Sequence, residues 1–215
     1  MEEIEKAHAL IVCHGQTQKN AGLHSDSIYD ELLTNKGERQ AEHLADFLPS
    51  APTRIILSPS LRTKLTANAI ISKFPRADVS EWPIQDFTIL NPDKHQNLSE
   101  EDRELYIQRY WQDANPQYRD GGVAESFMGF WQRVKMFREG ISRLVPGALV
   151  ITHGQFMRMI KLQEIYEKPD RNAMDNFHMW ESRFQIAHTA RIAMAKSEYI
   201  DFPKASHLPP DLITY

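Results

Sequence analysis

The sequence predicts an α/β fold, a three-layer sandwich in which helices cover both faces of a mainly parallel sheet. Short apolar runs recur along the chain, and a run without polar alternation is typical of a strand covered on both faces. Stretches with apolar residues at helical spacing lie between these runs, which indicates parallel strands joined by helical crossovers. A less regular stretch at 83–122 interrupts the alternation, and we interpret it as a small inserted cap.

The first half of the chain supplies strands and helices in strict alternation. Its predicted elements are strands at 9–13, 54–57 and 77–82 and helices at 34–48 and 60–74. Thr34 can cap the first of these helices because its hydroxyl can accept a hydrogen bond from a free backbone N–H of the first turn. Pro75 ends the second helix, because proline cannot continue it.

The second half resumes this order after the cap. Its predicted elements are a helical patch at 100–111 inside the cap, helices at 125–144 and 156–166, a strand at 148–152 and a pair of strands within 183–199. The Pro-rich tail from Pro203 is expected to lie along the surface. We interpret the 215 residues as one domain, 1–215, that carries the cap as an insertion.

Composition and charge exclude several classes of partner. The chain has 25 basic and 29 acidic residues and a formal charge of −4 at pH 7, so it lacks the electrostatic footprint of a nucleic-acid-binding protein. Residues 1–5 are acidic rather than cationic, and no window approaches the ~20 apolar residues that span a bilayer. The single cysteine, Cys13, excludes an internal disulfide and a CxxC site. We expect a soluble, cytoplasmic protein with no nucleic-acid or membrane partner, and its oligomeric state is left open.

Two of the predicted strands end in the dipeptide His-Gly. His14 follows the strand at 9–13, and His153 follows the strand at 148–152. The carboxyl ends of parallel strands meet at one edge of a sheet, so the two imidazoles can converge there. Arg62 lies in the first helical turn after a third strand, and an arginine beside a helix N-terminus suits a phosphate. Taken alone, either histidine is equally well a turn residue without chemistry.

Four blocks of the sequence resemble the motifs of the histidine phosphatase (phosphoglycerate-mutase-like) superfamily. They are 10–17 with Asn20, similar to the Arg-His-Gly signature; 33–41, similar to Leu-Thr-x-x-Gly-x-x-Gln-Ala; 57–62 with Thr66 and Ala67, similar to Ser-Ser-Pro-x-x-Arg-(x)3-Thr-Ala; and 150–154, similar to the second histidine motif. The blocks occur in the order and at the spacing of the family, over about residues 9–165.

The resemblance implies a two-step phosphoryl transfer. His14 would attack phosphorus and carry a covalent phosphohistidine, since a neutral imidazole is nucleophilic near pH 7. Arg62 and His153 would bind the oxygens on which charge builds in the transition state. The resemblance also implies phosphate contacts from the loop residues Gln16, Thr17 and Asn20. The ligand that the resemblance implies is a small phosphorylated substrate. The other histidines show no ligand spacing such as H-x3-H, so no metal and no other cofactor is expected.

The resemblance also requires a carboxylic acid that protonates the leaving group. Asp86 occupies the corresponding place after the third strand and is our first choice, although it is one methylene shorter than the usual glutamate. Glu125 lies in a Glu-Ser sequence found in many phosphatases of the family. It is interpreted as the acid itself, as a partner of the acid, or as a carboxylate at the entry of a helix.

The main departure from the family pattern is Cys13, which stands where the signature has arginine. Loss of such a charged donor costs about 3–4 kcal/mol of transition-state stabilisation, or roughly 10²–10³ in rate, if nothing replaces it. Lys19, Lys36 or a cap arginine such as Arg103 could replace it. We interpret Cys13 as a small buried hydrophobe rather than as a nucleophile paired with His14, because neighbours on a strand point to opposite faces.

Three functions are therefore compared at this stage. The first is a phosphatase that hydrolyses phosphate monoesters through His14. The second is a catalytically weakened or inactive phosphate-binding protein with a scaffold role, which Cys13 would explain. The third, a phosphoglycerate-type mutase, is disfavoured because the cap is short and the Glu-Arg-His-Tyr sequence of mutases is missing.

Overall fold

A mainly parallel sheet lies at the centre of the chain. The computed structural model describes residues 7–23, 31–95, 97–195, 198–199, 205 and 207–215. Within these residues the sheet consists of β1 (Ala9–Cys13), β2 (Arg54–Leu57), β3 (Val79–Glu81), β4 (Ala148–Thr152), β5 (Arg191–Ala195) and β6 (Glu198–Tyr199). The strand order is β3-β2-β4-β1-β5-β6. The first four strands in this order pair in parallel, whereas β5 is antiparallel to β1 and β6 is antiparallel to β5.

Helices cover both faces of this sheet. The described helices are α1 (Asn35–Phe47), α2 (Leu61–Lys73), α3 (Pro92–His95), α4 (Glu100–Asp113), α5 (Phe127–Ile141), α6 (Gly154–Ile165) and α7 (Arg171–Arg183), followed by a short 3-10 helix at Pro210–Leu212. None of them has the length and apolar character needed to cross a membrane.

The pleat of the strands sorts the core into two clusters. Along β1, Leu10 and Val12 pack with residues of α1 and α2, whereas Ile11 and Cys13 pack with residues of α5, α6 and α7. Successive side chains of a strand point to opposite faces, so an all-apolar strand serves two helical layers at once. The predicted three-layer α/β sandwich is confirmed.

Helix boundaries follow the capping residues. The Thr34 hydroxyl accepts a hydrogen bond from the N–H of Gly37 at the start of α1, as expected. The Ser126 hydroxyl does the same for the N–H of Gly129, so α5 begins at Phe127, two residues later than predicted. The capping residue itself has an extended backbone, and the helix therefore starts at the residue after it.

Two helices were missing from the sequence prediction, the single turn α3 (Pro92–His95) and α7 (Arg171–Arg183). Helix α7 is mostly polar and buries Ala173, Met174 and Phe177 on one face. The carboxylate of Asp170 accepts from the N–H of Ala173 at 3.1 Å and caps the helix. Pairing with the adjacent α5–α6 layer thus stabilises a segment whose own pattern is weak.

The C-terminal part of the chain differs from the prediction in one respect. The two strands expected within 183–199 are present as β5 and β6. Pro203 lies outside the described residues, but Leu208 and Leu212 beyond it are buried. The Gln40 amide donates to the backbone oxygen of Leu212 at 2.6 Å. The described tail residues thus run along the surface, as expected, except that these two leucines are buried and the 3-10 helix packs against α1.

Candidate active site

The two His-Gly histidines lie side by side at one edge of the sheet. Strands β1 and β4 are parallel neighbours in which Cys13 faces Thr152, so the residues that follow them emerge together. The ring centroids of His14 and His153 are 5.2 Å apart, and the ring planes are inclined by 62°. Both side chains are almost fully buried. Parallel pairing therefore creates one pocket from two distant parts of the sequence.

Arg62 completes this pocket from the neighbouring strand. Helix α2 begins at Leu61, just beyond β2, so Arg62 stands in its first turn at the same sheet edge. Its Nε donates to Nδ1 of His153 at 3.2 Å. The structure thus brings together the three residues that the sequence assigned to a phosphate.

Contacts of the His14 ring determine which of its nitrogens faces the pocket unprotonated. Nδ1 lies 2.8 Å from the backbone oxygen of Gly15. A carbonyl oxygen only accepts hydrogen bonds, so Nδ1 carries the proton and Nε2 keeps its lone pair. Burial is the main cause that holds the pKa of His14 well below 6.5, and the neighbouring His153 and Arg62 act in the same direction. His14 is therefore a neutral imidazole near pH 7, with Nε2 available as a nucleophile.

The contacts of His153 leave the opposite nitrogen toward the pocket. Its Nε2 lies 2.7 Å from the hydroxyl of Ser58, which in turn lies 3.1 Å from the hydroxyl of Thr63. Since Arg62 donates to Nδ1, neutral His153 carries its proton on Nε2 and donates it to Ser58. Burial lowers the pKa of His153, although the nearby carboxylate of Asp86 acts to raise it.

Asp86 reaches into the same pocket from the segment after β3. Its Oδ2 accepts from Nη2 of Arg62 at 2.8 Å and lies 3.3 Å from Nδ1 of His153. Burial alone would raise the pKa of this carboxyl, but His153 and Arg62 outweigh it and hold the pKa well below the usual range. With 35% of its side chain exposed, Asp86 is an ionised group at the mouth of the pocket.

Glu125, the alternative acid, is engaged elsewhere. Both of its oxygens accept from Arg133, Oε1 from Nε at 2.9 Å and Oε2 from Nη2 at 2.6 Å. The same guanidinium donates to the backbone oxygens of Gln85 at 2.9 Å and Asp86 at 3.4 Å. The Glu125–Arg133 pair therefore holds the segment that carries Asp86. Among the three interpretations of Glu125, its contacts favour that of a partner of the acid.

Cys13 lies beside the pocket but adds no charge to it. Burial, reinforced by the negative charge of Asp86, raises the pKa of the thiol to about 12, so it stays neutral. Of the cations considered as replacements for arginine, Lys19 is exposed, and Arg103 donates to the backbone oxygen of His95 at 3.3 Å. Lys36, in the first turn of α1, has no recorded contact with the pocket among the described residues.

The loop after β1 is held mainly by its own polar side chains. The Gln16 side-chain oxygen accepts from the hydroxyl of Thr34 at 2.9 Å. The Thr17 hydroxyl donates to Oδ1 of Asn20 at 2.7 Å, and the N–H of Asn20 donates back to it at 3.2 Å. These bonds order the loop, while the phosphate contacts expected of Gln16, Thr17 and Asn20 stay predictions.

Two glycines let this loop lie directly on α1. A Cβ on Gly15 would come within 2.7 Å of the backbone oxygen of Gly37, closer than real Cβ contacts allow. The N–H of Gly15 donates to the hydroxyl of Thr66 at 2.9 Å. Three of the sequence blocks therefore meet at one point behind His14, which explains why their residue types are needed together.

Sequence reasoning missed two residues near the pocket. His188 is not among the candidate residues of the sequence analysis, yet its ring centroid lies 5.8 Å from that of His14. Its Nδ1 lies 3.0 Å from the hydroxyl of Thr214, and burial lowers its pKa to about 4. Arg158 follows Gly154 by four residues in α6, a spacing that puts both on one helix face. That spacing was the one signal available for Arg158; His188 had none.

Comparison with known families assigns the chain to a superfamily. The family model of the histidine phosphatase superfamily (branch 1) matches residues 9–189. The chain therefore belongs to the histidine phosphatase superfamily. No curated protein matches it.

Solved structures with the same fold include several phosphatases. One is a phosphoserine phosphatase from Entamoeba histolytica in complex with 3-phosphoglyceric acid, with 15% identity, a TM-score of 0.67 and coverage of 94% of this chain and 98% of that chain. An alpha-ribazole phosphatase from Shigella flexneri is 21% identical, with a TM-score of 0.61 and coverage of 86% and 88%. A mycobacterial glucosyl-3-phosphoglycerate phosphatase is 15% identical, with a TM-score of 0.58 and coverage of 86% and 87%. At these identities the likeness is one of fold.

Proposed function

We propose that this protein is a phosphatase that hydrolyses small phosphate monoesters through a covalent phosphohistidine on His14. The observation that carries the proposal is the state of the His14 ring. Its Nδ1 is bound to the Gly15 oxygen at 2.8 Å, and its neutral Nε2 shares a buried pocket with Arg62 and His153. A neutral nucleophile beside a guanidinium suits attack on a dianionic phosphoryl group.

In the first step the lone pair of His14 Nε2 forms a bond to phosphorus. The phosphorus–oxygen bond of the ester breaks, and the leaving oxygen keeps the bonding electrons. Arg62 binds the non-bridging oxygens as charge builds on them. His153 binds them through Nδ1 once it is protonated, a change that the approaching dianion favours by raising the pKa of this imidazole.

Asp86 is proposed to give its proton to the leaving oxygen. Without substrate it is ionised, because Arg62 and His153 hold its pKa low. A bound dianion competes with Asp86 for Arg62 and repels its negative charge, and both effects raise the pKa of this carboxyl. Asp86 is thus expected to take up a proton when substrate binds, so that its function as an acid depends on the substrate's own charge.

In the second step water hydrolyses the phosphohistidine. The Asp86 carboxylate takes a proton from the water, the water oxygen bonds to phosphorus, and the nitrogen–phosphorus bond breaks. Inorganic phosphate leaves, His14 is neutral again, and Asp86 has regained its proton. We also propose that residues 83–122 act as a cap over the leaving group, because Asp86 belongs to this segment. The names of the phosphatases of similar fold support phosphate monoesters as the substrate class.

Turnover of a chromogenic aryl phosphate tests the proposal. We expect wild type to release inorganic phosphate and, after quenching in alkaline detergent during turnover of a ³²P-labelled aryl phosphate, to retain a phosphoryl group that acid then removes. His14→Ala should show neither, and His178→Ala, which changes an exposed histidine of α7, should behave like wild type. A labelled His14→Ala protein, or equal rates in His14→Ala and wild type, would remove His14 from the mechanism.

A second candidate is a phosphate-binding protein with little or no turnover. It is favoured by the neutral thiol of Cys13 and by the ion pair between Arg62 and Asp86. Binding of inorganic phosphate by calorimetry, without hydrolysis of aryl phosphates, is the result expected of this candidate.

A further inference from the structure

Position 13 contributes no cation to the anion pocket. The thiol of Cys13 is neutral, and Arg62 is bound to the carboxylate of Asp86 at 2.8 Å. A phosphoryl dianion would therefore meet a guanidinium that is already paired. The Arg-His-Gly signature, to which this segment is similar, has a further guanidinium at this place. A second cation near Cys13 would supply the positive charge that this guanidinium gives to the binding of a phosphoryl dianion.

Arg158 brings a guanidinium to this part of the pocket. It lies in α6, whose first residue, Gly154, directly follows His153. Long helical side chains lean toward the N-terminus of their helix, so Arg158 extends back over Gly154. Its Nη1 lies 3.4 Å from the place of a Cβ on Gly154, in ordinary van der Waals contact. The guanidinium is therefore next to the residue that follows His153, at the active edge of the sheet.

The side chain is fixed in this position by the loop after α7. Nε and Nη2 of Arg158 both donate to the backbone oxygen of Phe184, at 3.1 and 2.8 Å. Among the described residues, no hydrogen-bond acceptor is recorded for Nη1. The residue also lines a cavity of about 630 Å³ together with 182–186, whose lining does not include the residues of the anion pocket.

The electrostatics of Cys13 support this proximity. The backbone N–H of Gly154 lies at the sulfur of Cys13 and acts to lower the pKa of its thiol. The positive charge of Arg158 lowers that pKa too, with an effect larger than that of Arg62. Burial lowers the pKa of Arg158. The negative charge of Glu181 acts most strongly to raise it, and Cys13 and Asp86 act in the same direction. Arg158 is thus close enough to Cys13 and to Asp86 to interact with both.

We propose that Arg158 supplies the second phosphate-binding guanidinium, reaching from α6 the place where the family signature has an arginine at position 13. Nη1 donates to a non-bridging oxygen of the phosphoryl group, while Nε and Nη2 keep their bonds to Phe184. This inference rests on the proposed phosphatase function. It assigns the missing cation to a part of the chain far from the signature, in place of Lys19, Lys36 or Arg103.

A purely structural role of Arg158 has different consequences. Its hydrogen bonds to the Phe184 oxygen fix the C-terminal end of α7, and their loss would loosen the loop at 184–186. That defect would lower stability, and an arginine placed at position 13 would not repair it. A phosphate-binding role, in contrast, predicts that Cys13→Arg compensates for Arg158→Met, because both side chains would offer a guanidinium to the same oxygen.

The experiment compares five proteins: wild type, Arg158→Met, Cys13→Arg, the double variant, and Arg183→Met as a control that removes a cation from the same cavity wall. Hydrolysis of an aryl phosphate, inhibition by orthovanadate and thermal midpoints are measured for each, and calorimetry gives the binding of inorganic phosphate. We expect Arg158→Met to lower kcat/KM about 10²-fold and to weaken vanadate inhibition about as much. The double variant should regain at least tenfold, Cys13→Arg alone should gain nothing, and Arg183→Met should stay within about twofold of wild type.

Two outcomes overturn the inference. One is that Arg158→Met binds vanadate and inorganic phosphate as tightly as wild type. The other is a loss in Arg158→Met that the double variant does not recover and that comes with a lower thermal midpoint. If wild type needs His14 for turnover but not Arg158, only the inference fails. If wild type neither hydrolyses aryl phosphates nor binds phosphate, the proposed function fails and the inference with it.

Discussion

The two His-Gly strand ends have the same local sequence, yet their rings are used in opposite ways. At the end of β1, His14 is bonded through Nδ1 to the backbone oxygen of Gly15, which leaves Nε2 toward the pocket. At the end of β4, His153 is bonded through Nε2 to the hydroxyl of Ser58, which leaves Nδ1 toward Arg62 and Asp86. The strand and the dipeptide position each ring, and the neighbours select the nitrogen that is available.

This difference explains why one imidazole suits nucleophilic attack and the other suits anion binding. His14 is bonded to its own loop, so its free nitrogen can form and lose a bond to phosphorus without disturbing other contacts. His153 is hydrogen-bonded to Ser58 and Arg62 of the β2–α2 connection and has Asp86 of a second segment beside it, so it is held in one orientation. A fixed donor in a buried site stabilises developing charge without having to rearrange.

The largest expected effect comes from replacing each histidine in turn by asparagine. His14→Asn should abolish the covalent phosphoryl group and lower kcat/KM at least about 10³-fold, because no nucleophile remains. His153→Asn should lower kcat/KM about 10²-fold but keep a measurable covalent intermediate, because only a phosphate contact is lost. Labelling with a ³²P-labelled aryl phosphate, quenched in alkaline detergent, distinguishes the two.

The opposite labelling result would break this comparison. If His153→Asn lost the covalent group while His14→Asn kept it, the functions assigned to the two nitrogens would have to be exchanged. Circular dichroism of both variants ensures that the comparison is made between folded proteins.

A second prediction concerns the stability of the protein in acid. Histidines that are neutral when folded have a pKa below 6.5, as burial imposes on both His14 and His153. Below pH 6.5 the unfolded state binds more protons than the folded state, so the free energy of unfolding falls as pH falls. Each such histidine contributes a slope of about 1.4 kcal/mol per pH unit until its folded-state pKa is reached.

Urea unfolding at pH 6.5, 6.0 and 5.5 measures this slope. Each of the two asparagine variants should have a shallower dependence than wild type, by the contribution of the histidine that it lacks. Parallel curves for wild type and His14→Asn would mean that His14 is not held neutral by the fold, which contradicts its assignment as a neutral nucleophile.

The smallest expected effect sharpens the comparison at His153. Ser58→Ala removes the acceptor of Nε2, so the ring loses one of its fixed contacts, and we expect kcat/KM to fall about tenfold. Ser60→Ala is a matched control in the same loop, since the Ser60 side chain makes no capping hydrogen bond to α2. It should change kcat/KM less than about twofold.

Steady-state kinetics with an aryl phosphate measure both serine variants. Equal rates for Ser58→Ala and Ser60→Ala would show that the Ser58 contact does not orient His153 during turnover. A larger loss in Ser60→Ala would point to the loop backbone instead.

Several features of the fold and the site could be predicted because they depend on short stretches of sequence. The run at β1 has no polar position and the run at β4 has only Thr152 at its end, so their burial on both faces followed directly. The cap at Thr34 is a local hydrogen bond and was equally accessible. By contrast, α7 has only three buried residues, and its place is decided by the helices it packs on.

The functional assignments divide in the same way, into those that depend on short stretches of sequence and those that depend on packing. His14, His153 and Arg62 each follow a recognisable strand, so their convergence could be expected from parallel topology. The engagement of Glu125 with Arg133, and the approach of Arg158 to Cys13, depend on where whole helices lie. Glu125 and Arg133 are eight residues apart, but the backbone oxygens of Gln85 and Asp86 that Arg133 also binds come from a distant segment. Cys13 is likewise far from Arg158 in the chain, and no spacing in the sequence carries such information.

By itself the amino-acid sequence determined the alternation of strands and helices, the edge at which the histidines emerge, and the absence of arginine at position 13. These properties depend on side-chain polarity and on the pleat of a strand, which act over a few residues. The tertiary structure alone decided which nitrogen of each imidazole is available, that the Asp86 carboxylate is ionised, and that Arg158 lies beside Cys13. Those outcomes are set by burial and by charges from distant segments, and such forces exist only once the chain has folded.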